Sequence, residues 1–415
     1  MKFHPPANEN YAATVVRIRS VNELANCDNV IGVPLIGHHA VTSRDVSIGD
    51  LYILFTTETQ LSEEYTRKNN LHRHSDRNDD GSKKGYLEDN RRIRAQKFRG
   101  HTSNALLMPL VSLGYTGVKL EELSEGDTFD TLGDHEICKK YVVKTKESRP
   151  GAFQPPKITR VDEKFFPQHF DTSNYFRNIA KLNPWDSVTV TQKLHGTSIR
   201  VGHTLVKRKL KWIEKAAKRF GVKVVETEYD YVFGSRKVIK DPNNPDQNHF
   251  YDFDLWTHHG KTLEGLLPRG YIVYGELIGY VMGRTPIQTG YTYSLPEGEC
   301  RFYIYRVTHL NPDGVVVDLT WDQVVEFCDT LGLATVPELW RGYLSDFDPY
   351  QYLDINLYGN YFNAIDAGPS VVDEGVCIRR EGLTPLILKA KSPLFLEHET
   401  KLLDKDAVDI ESEDG

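Results

Sequence analysis

The chain has 415 residues, enough for two or three domains, each with its own core. Its 39% hydrophobic and 26% charged residues are ordinary for a globular protein; no run approaches the roughly 18 apolar residues of a membrane span, and the start, MKFHPPANEN, carries no apolar leader. A net charge of −7 disfavours a protein that simply coats nucleic acid, and five cysteines (Cys27, Cys138, Cys300, Cys328, Cys377) without a CxxC pair disfavour a disulfide framework or a zinc site, so a reducing intracellular compartment is expected rather than secretion.

Residues 1–143 read as short strands: YAATVVRIRSV, IGVPLIG, DLYILF, ALLMPLV and DTFDTLG are β-rich runs separated by turn residues, which predicts an all-β small barrel. A polar insertion at about 58–90, containing NDDGSKKG, interrupts them; an insertion that long is expected to be functional or disordered. The stretch 61–105 holds eleven Lys or Arg against seven Asp or Glu, including RRIRAQKFRG at 91–100. The histidine pairs at 38/39 and 258/259 lack partners at ligand spacing and read as surface or structural. Residues 144–166, with three prolines and many charges, read as a linker. From 167 onward strands mix with helices, the clearest helical segments being 207–220 and 321–332. A second basic segment, VKRKLKWIEKAAKRFGVK, carries eight Lys or Arg against one Glu, and the tail at 403–415 is acidic. Local basic surfaces on an acidic protein fit a phosphate-backbone ligand held along particular grooves; solvated faces are the plain alternative.

In DSVTVTQKLHGTSIRVG, strand alternation would put Val188, Val190 and Gln192 on one face and Lys193, His195 and Thr197 on the other. Gly196 would let the backbone and the hydroxyls of Thr197 and Ser198 approach a phosphate. Further on, YIVYGELIG sets Glu276 in an apolar run, RFYIYRV places Tyr303 and Tyr305 on one face, DEGVCIRR carries Glu374, and LILKAKSP offers Lys389 and Lys391 at strand period. Charges in apolar strands are costly unless paired or functional. One positively charged pocket with two carboxylates accounts for them together, and a nucleotide polyphosphate with Mg²⁺ is the natural ligand.

Lys193-Leu194-His195-Gly196-Thr197 resembles the adenylation motif of the covalent nucleotidyltransferases, in the KxHGT form of ATP-dependent RNA ligases. The order of the other motifs is also theirs: GSRKV with Arg236, GELIG with Glu276, the aromatic strand with Tyr305, EGVCIR with Glu374, and LKAK with Lys389 and Lys391. The resemblance covers about 167–400. It implies a nucleotidyltransferase domain of antiparallel sheets with flanking helices at 167–402, giving an α+β multidomain protein. Only about two dozen residues follow Lys391, too few for a C-terminal barrel, and the barrel-like module comes first. That order resembles the RNA ligase class with an N-terminal OB domain, whose members seal 3′-OH/5′-phosphate nicks.

The resemblance implies that Lys193 attacks the ATP α-phosphate to form lysyl-AMP, that AMP passes to an RNA 5′-phosphate, and that a 3′-hydroxyl displaces it. Keeping an ordinary lysine neutral at pH 7 costs roughly 4–5 kcal/mol, and Lys389, Lys391 and a metal would lower that cost. Lys389 and Lys391 would also hold the phosphates. Glu374 and Glu276 would bind Mg²⁺ or Mn²⁺, Glu276 alternatively the ribose. Gln192, His195, Gly196, Thr197, Ser198 and Arg236 would contact the nucleotide, and Tyr305 would stack on adenine. The histidine form departs from the aspartate of DNA ligases and capping enzymes, and Ser198 stands where relatives commonly have asparagine. RNA contacts are expected from Arg91, Arg92, Arg94, Lys97 and Arg99 of RRIRAQKFRG and from Arg177, with the protein acting as a monomer on nicked duplex RNA, away from membranes.

Overall fold

A computed structural model describes residues 4–142, 160–241, 251 and 253–404. Most of the expected linker (143–159) and of the acidic tail (405–415) lies outside the described residues. The described chain forms two compact units, one of 4–142, 173–180 and 390–404, the other of 160–172, 181–241, 251 and 253–389. Residues 173–180 and 390–402, which the sequence division gives to the second domain, therefore cluster with the first.

In the first unit each of the five β-rich runs supplies strand. Four make an antiparallel sheet in the order Thr128–Phe129, Ala13–Arg17, Leu51–Thr56, Ala105–Pro109, and Val30–Leu35 is the middle strand of a three-stranded meander. Their inward residues, among them Val15, Ile53, Phe55 and Phe129 on one side and Val16, Val33 and Leu54 on the other, form two cores, as strand alternation requires. The expected barrel does not close: among the described residues the strands are spread over separate small sheets. Near His39 side chains replace the ladder. Asn104 Oδ1 accepts from the His39 N–H at 2.8 Å and Ser103 Oγ from the Val41 N–H at 3.0 Å, so regular strand pairing stops there.

The insertion at 58–90 is folded and anchored. Ser62 caps the helix Glu63–Lys68, whose Tyr65 is fully buried, edge-on to Phe55 and hydrogen-bonded to Ser112 at 2.7 Å. Leu61 and Leu87 join the same core. A few widely spaced apolar anchors hold a segment whose average composition is that of a loop.

The second unit is built on two antiparallel sheets. The smaller runs Leu386–Lys391, Gly375–Arg380, Ser187–Lys193, Glu338–Tyr343; the last two residues of its first strand already count with the first unit. The larger runs Ile239–Lys240, Thr227–Gly234, Thr197–Lys207, Tyr271–Gly279, Cys300–Leu310, Val316–Asp318. Its core face gathers Phe165, Phe166, Val206, Val232, Ile272, Tyr274 and Leu310. Helix Trp321–Leu331 matches expectation because Thr320 and Gln323 cap its start reciprocally and Gly332, at φ 66°, ends it. The other expected helix is shorter: strand continues to Lys207 and the helix spans only Trp212–Arg219. Among the described residues the cysteines form no disulfide, and no helix is long and apolar enough to cross a membrane.

Candidate active site

The run read as one strand, DSVTVTQKLHGTSIRVG, is two. The strand Ser187–Lys193 ends in the smaller sheet, Leu194–Gly196 cross over, and Thr197–Lys207 begins in the larger. Strand parity therefore does not carry from Lys193 to Thr197. Lys193 instead stands at the end of its strand opposite Gly375, next to Glu374. Gly196 is needed at the crossing, since a Cβ there would collide with the Leu277 carbonyl oxygen. The crossing is pinned at His195 and Gly196: the His195 N–H donates to the Tyr293 hydroxyl at 2.6 Å, the Gly196 N–H to Glu276 at 3.1 Å, and Gln288 donates to the Gly196 carbonyl at 2.8 Å.

Lys193 Nζ donates to Glu374 Oε2 at 2.6 Å, and His195 Nδ1 lies 3.6 Å from the same oxygen, its ring edge-on to Tyr291. Glu374 and His195 are buried, so the ion pair sits where water screens it little. Glu276 is also buried, and its second oxygen accepts from Ser198 Oγ at 3.2 Å. Glu276 thus holds the crossing through its backbone, and Glu374 holds Lys193 at the strand end just before it.

Around Lys193 lies a cleft of about 920 Å³, open solvent included, lined by Gln192, Ser198, Arg236, Glu276, Tyr305 and Lys389 among the residues singled out in the sequence. All its lining residues belong to the second unit. A bulge decides the aromatic contribution: Tyr274 faces Arg306 and Gly275 faces Ile304, so Tyr305 is the extra residue. Tyr303 and Tyr305 therefore do not act as a pair; Tyr305 lines the cleft, its hydroxyl 2.7 Å from His169 Nδ1. Arg236 pairs with Asp171. Thr197 is buried opposite Leu277. Gln192 is buried and doubly committed: its amide donates to the Ile365 carbonyl (2.9 Å) and to Asp373 (2.8 Å) and its oxygen accepts from the Ile365 N–H (2.8 Å). It holds the loop beside the lysine strand, where the sequence suggested an adenine edge.

Lys391, in the first unit, lies 3.4 Å from Glu399 and over the Phe395 ring. The basic run of that unit is largely engaged within it. Arg91 binds Glu63 (2.8 Å) and the Leu61 carbonyl (3.0 Å), Arg94 reaches Asp404 (3.4 Å), Lys97 pairs with Glu397 (3.3 Å), and Arg99 donates to the Asn26 carbonyl (2.8 Å). Arg92 is buried between Glu58 and Asp404. Arg177 donates to the Glu9 carbonyl (2.8 Å), the Ala12 carbonyl (3.3 Å) and Thr14 (2.7 Å), and its burial lowers its pKa to about 10. Arg92 and Arg177 are structural cations, because a guanidinium withdrawn from water must spend its donors inside the protein.

His169, Asp373, Tyr293, Gln288 and Arg306 also build or line the site and were not legible as site residues. Asp373 left a trace in the acidic pair of DEGVCIRR, and Arg306 stands beside Tyr305 in RFYIYRV. His169, Gln288 and Tyr293 lie outside those motifs.

The RNA ligase family model matches residues 186–391, just under half the chain, and no curated protein sequence matches. Among solved structures the chain resembles Naegleria gruberi RNA ligase in several forms: a mutant with ATP and Mn (TM-score 0.57, 17% identity, 95% of this chain and 99% of that one), the protein with PPi (0.60, 17%, 95% and 100%) and an apo mutant (0.61, 17%, 96% and 100%). At that identity the likeness establishes the fold. The matched segment begins at the lysine strand and ends at Lys391, enclosing every motif from Lys193 onward, so the likeness to the RNA ligase family lies in the part of the chain that carries the site.

Proposed function

We propose that the protein is an ATP-dependent RNA ligase that seals 3′-OH/5′-phosphate breaks through a lysyl-AMP on Lys193. The observation that carries this reading is a single lysine at a strand end, 2.6 Å from a buried glutamate, opening onto a cleft with Lys389 and Arg236. Nζ attacks the α-phosphorus, a phosphoramidate N–P bond forms, and the bond to pyrophosphate breaks. AMP then passes to the RNA 5′-phosphate, freeing Lys193, and the 3′-hydroxyl displaces AMP. Attack requires the uncharged amine, so the pairing with Glu374 describes the resting site. Lys389 and Arg236 disfavour another ammonium nearby and would meet the triphosphate. The same role is proposed for Lys391.

Among the described residues no group of three or more His, Cys, Asp or Glu forms a metal cage. That suits Mg²⁺ or Mn²⁺ held by one carboxylate, water and the phosphates of ATP, and it supports Glu374 over Glu276, whose oxygens are committed to the crossing. Such an ion would neutralise charge on the phosphates. Tyr305 is proposed to stack on adenine, and Thr197, Ser198 and His195 to shape the nucleotide pocket. The first unit is proposed as an OB-type module opened into separate sheets, holding nicked duplex RNA through Arg91, Arg94, Lys97 and Arg99 once their present partners, carboxylates for the first three and the Asn26 carbonyl for Arg99, are exchanged for phosphates.

The test is incubation with α-³²P-ATP and a divalent ion without RNA, followed by a denaturing gel. Label that survives denaturation and is lost in Lys193→Ala is expected. Unlabelled protein, after checking that the preparation was not already adenylated, would overturn the reading.

A further inference from the structure

Beyond the core residue Val206, the basic segment at 206–223 is absorbed by neither the cleft nor the core. It forms the tip of the hairpin between Thr197–Lys207 and Thr227–Gly234, and its helix, Trp212–Arg219, has no buried residue. Helical spacing puts Trp212, Ile213, Ala216, Ala217 and Phe220 on one arc, with Lys215 and Arg219 beside it. This arc faces solvent: Trp212 is 78% and Phe220 85% exposed. Of the eight cations, Lys207 pairs with Asp162, Arg208 with Glu214 and Lys218 with Glu226. Lys209, Lys215, Arg219 and Lys223 form no ion pair among the described residues, and Lys211 shares Glu214 with Arg208.

We infer that this hairpin tip is a second RNA-contacting surface, which grips an unpaired strand of the RNA substrate away from the break. Unpartnered cations on a chain of net charge −7 are complementary to a polyanion. Exposed Trp and Phe beside them offer stacking faces, which unpaired bases can use and an intact duplex cannot. Distance sets the place of contact. From Ser198, in the cleft lining, to Lys207 is nine residues of continuous strand, about 30 Å at 3.3 Å per residue, so the tip meets RNA far from the reacting ends. The inference rests on the ligase reading only for the identity of the polynucleotide.

The test uses the full chain with fluorescent nicked RNA duplexes whose arms carry single-stranded extensions of graded length. Lys209→Ala/Lys211→Ala/Lys215→Ala is expected to weaken binding about tenfold near physiological salt and to lower the salt slope by about 2. Trp212→Ala/Phe220→Ala is expected to weaken it about tenfold with the slope unchanged. Both effects should vanish for arms shorter than about 30 Å. Self-adenylation should be unaltered, since no substituted side chain lines the cleft. Equal affinities and slopes at every arm length would overturn the proposal. So would loss of binding to phosphatidylserine vesicles with RNA binding intact. Failure of the wild-type protein to self-adenylate would count against the ligase reading alone.

Discussion

At the scale of single residues, Glu374 and Lys240 show two fates of a buried charge. Glu374 is paired with Lys193, and removing its charge should leave the amine without its orienting partner. Glu374→Gln is expected to lower the self-adenylation rate at least about a hundredfold while the thermal midpoint moves little, as read by labelled ATP and by calorimetry. Lys240 is buried over the Trp256 ring, and its Nζ has no hydrogen-bond partner among the described residues. Burial lowers its pKa from 10.5 to about 8. The folded state therefore binds this proton less tightly than the unfolded chain does. The cost to stability is complete below pH 8 and is relieved as pH rises toward 10.5. Lys240→Met should stabilise the protein by roughly 1–3 kcal/mol at pH 7 and remove that alkaline gain, as urea unfolding at pH 7 and pH 9.5 would show. Lys193 was legible from its neighbours in sequence. Lys240 was not, because nothing local marks a two-residue strand end that buries its lysine.

At the scale of elements, the site depends on a strand that stops. The alternating pattern around Lys193 reads as one continuous strand, since period alone contains no signal for a change of sheet. Gly196 makes the change possible, and Gly275 does similar service at the bulge, where a Cβ would strike the Tyr303 carbonyl oxygen. Gly196→Ala is expected to abolish self-adenylation and to cost roughly 1–3 kcal/mol in denaturant unfolding, because the Leu277 backbone must move. Wild-type adenylation by that variant would show that the crossing tolerates a methyl group. The tyrosine strand was legible as a strand; that the bulge sends Tyr305 alone to the cleft was not.

At the scale of the whole molecule, the insertion at 58–90 is part of a core, so its removal should act on stability before it acts on RNA. Tyr65→Ala is expected to cost about 3–5 kcal/mol and to promote proteolysis within the first unit. Arg177→Met should likewise lower the thermal midpoint while leaving the salt slope of RNA binding unchanged; a shallower slope would return Arg177 to the phosphate-contacting set. The sequence by itself determined the strands of the first unit, the helix Trp321–Leu331, and the place of Lys193 at the head of an ordered set of motifs. Alternation, caps and motifs are local, and each can be read within a dozen residues. The tertiary structure alone decided that the β-rich runs do not close into a barrel, that 173–180 and 390–404 cluster with the first unit, and that Arg92 and Arg177 are spent inside it. Those outcomes depend on which distant groups compete for the same hydrogen bonds, and that competition exists only once the chain is folded.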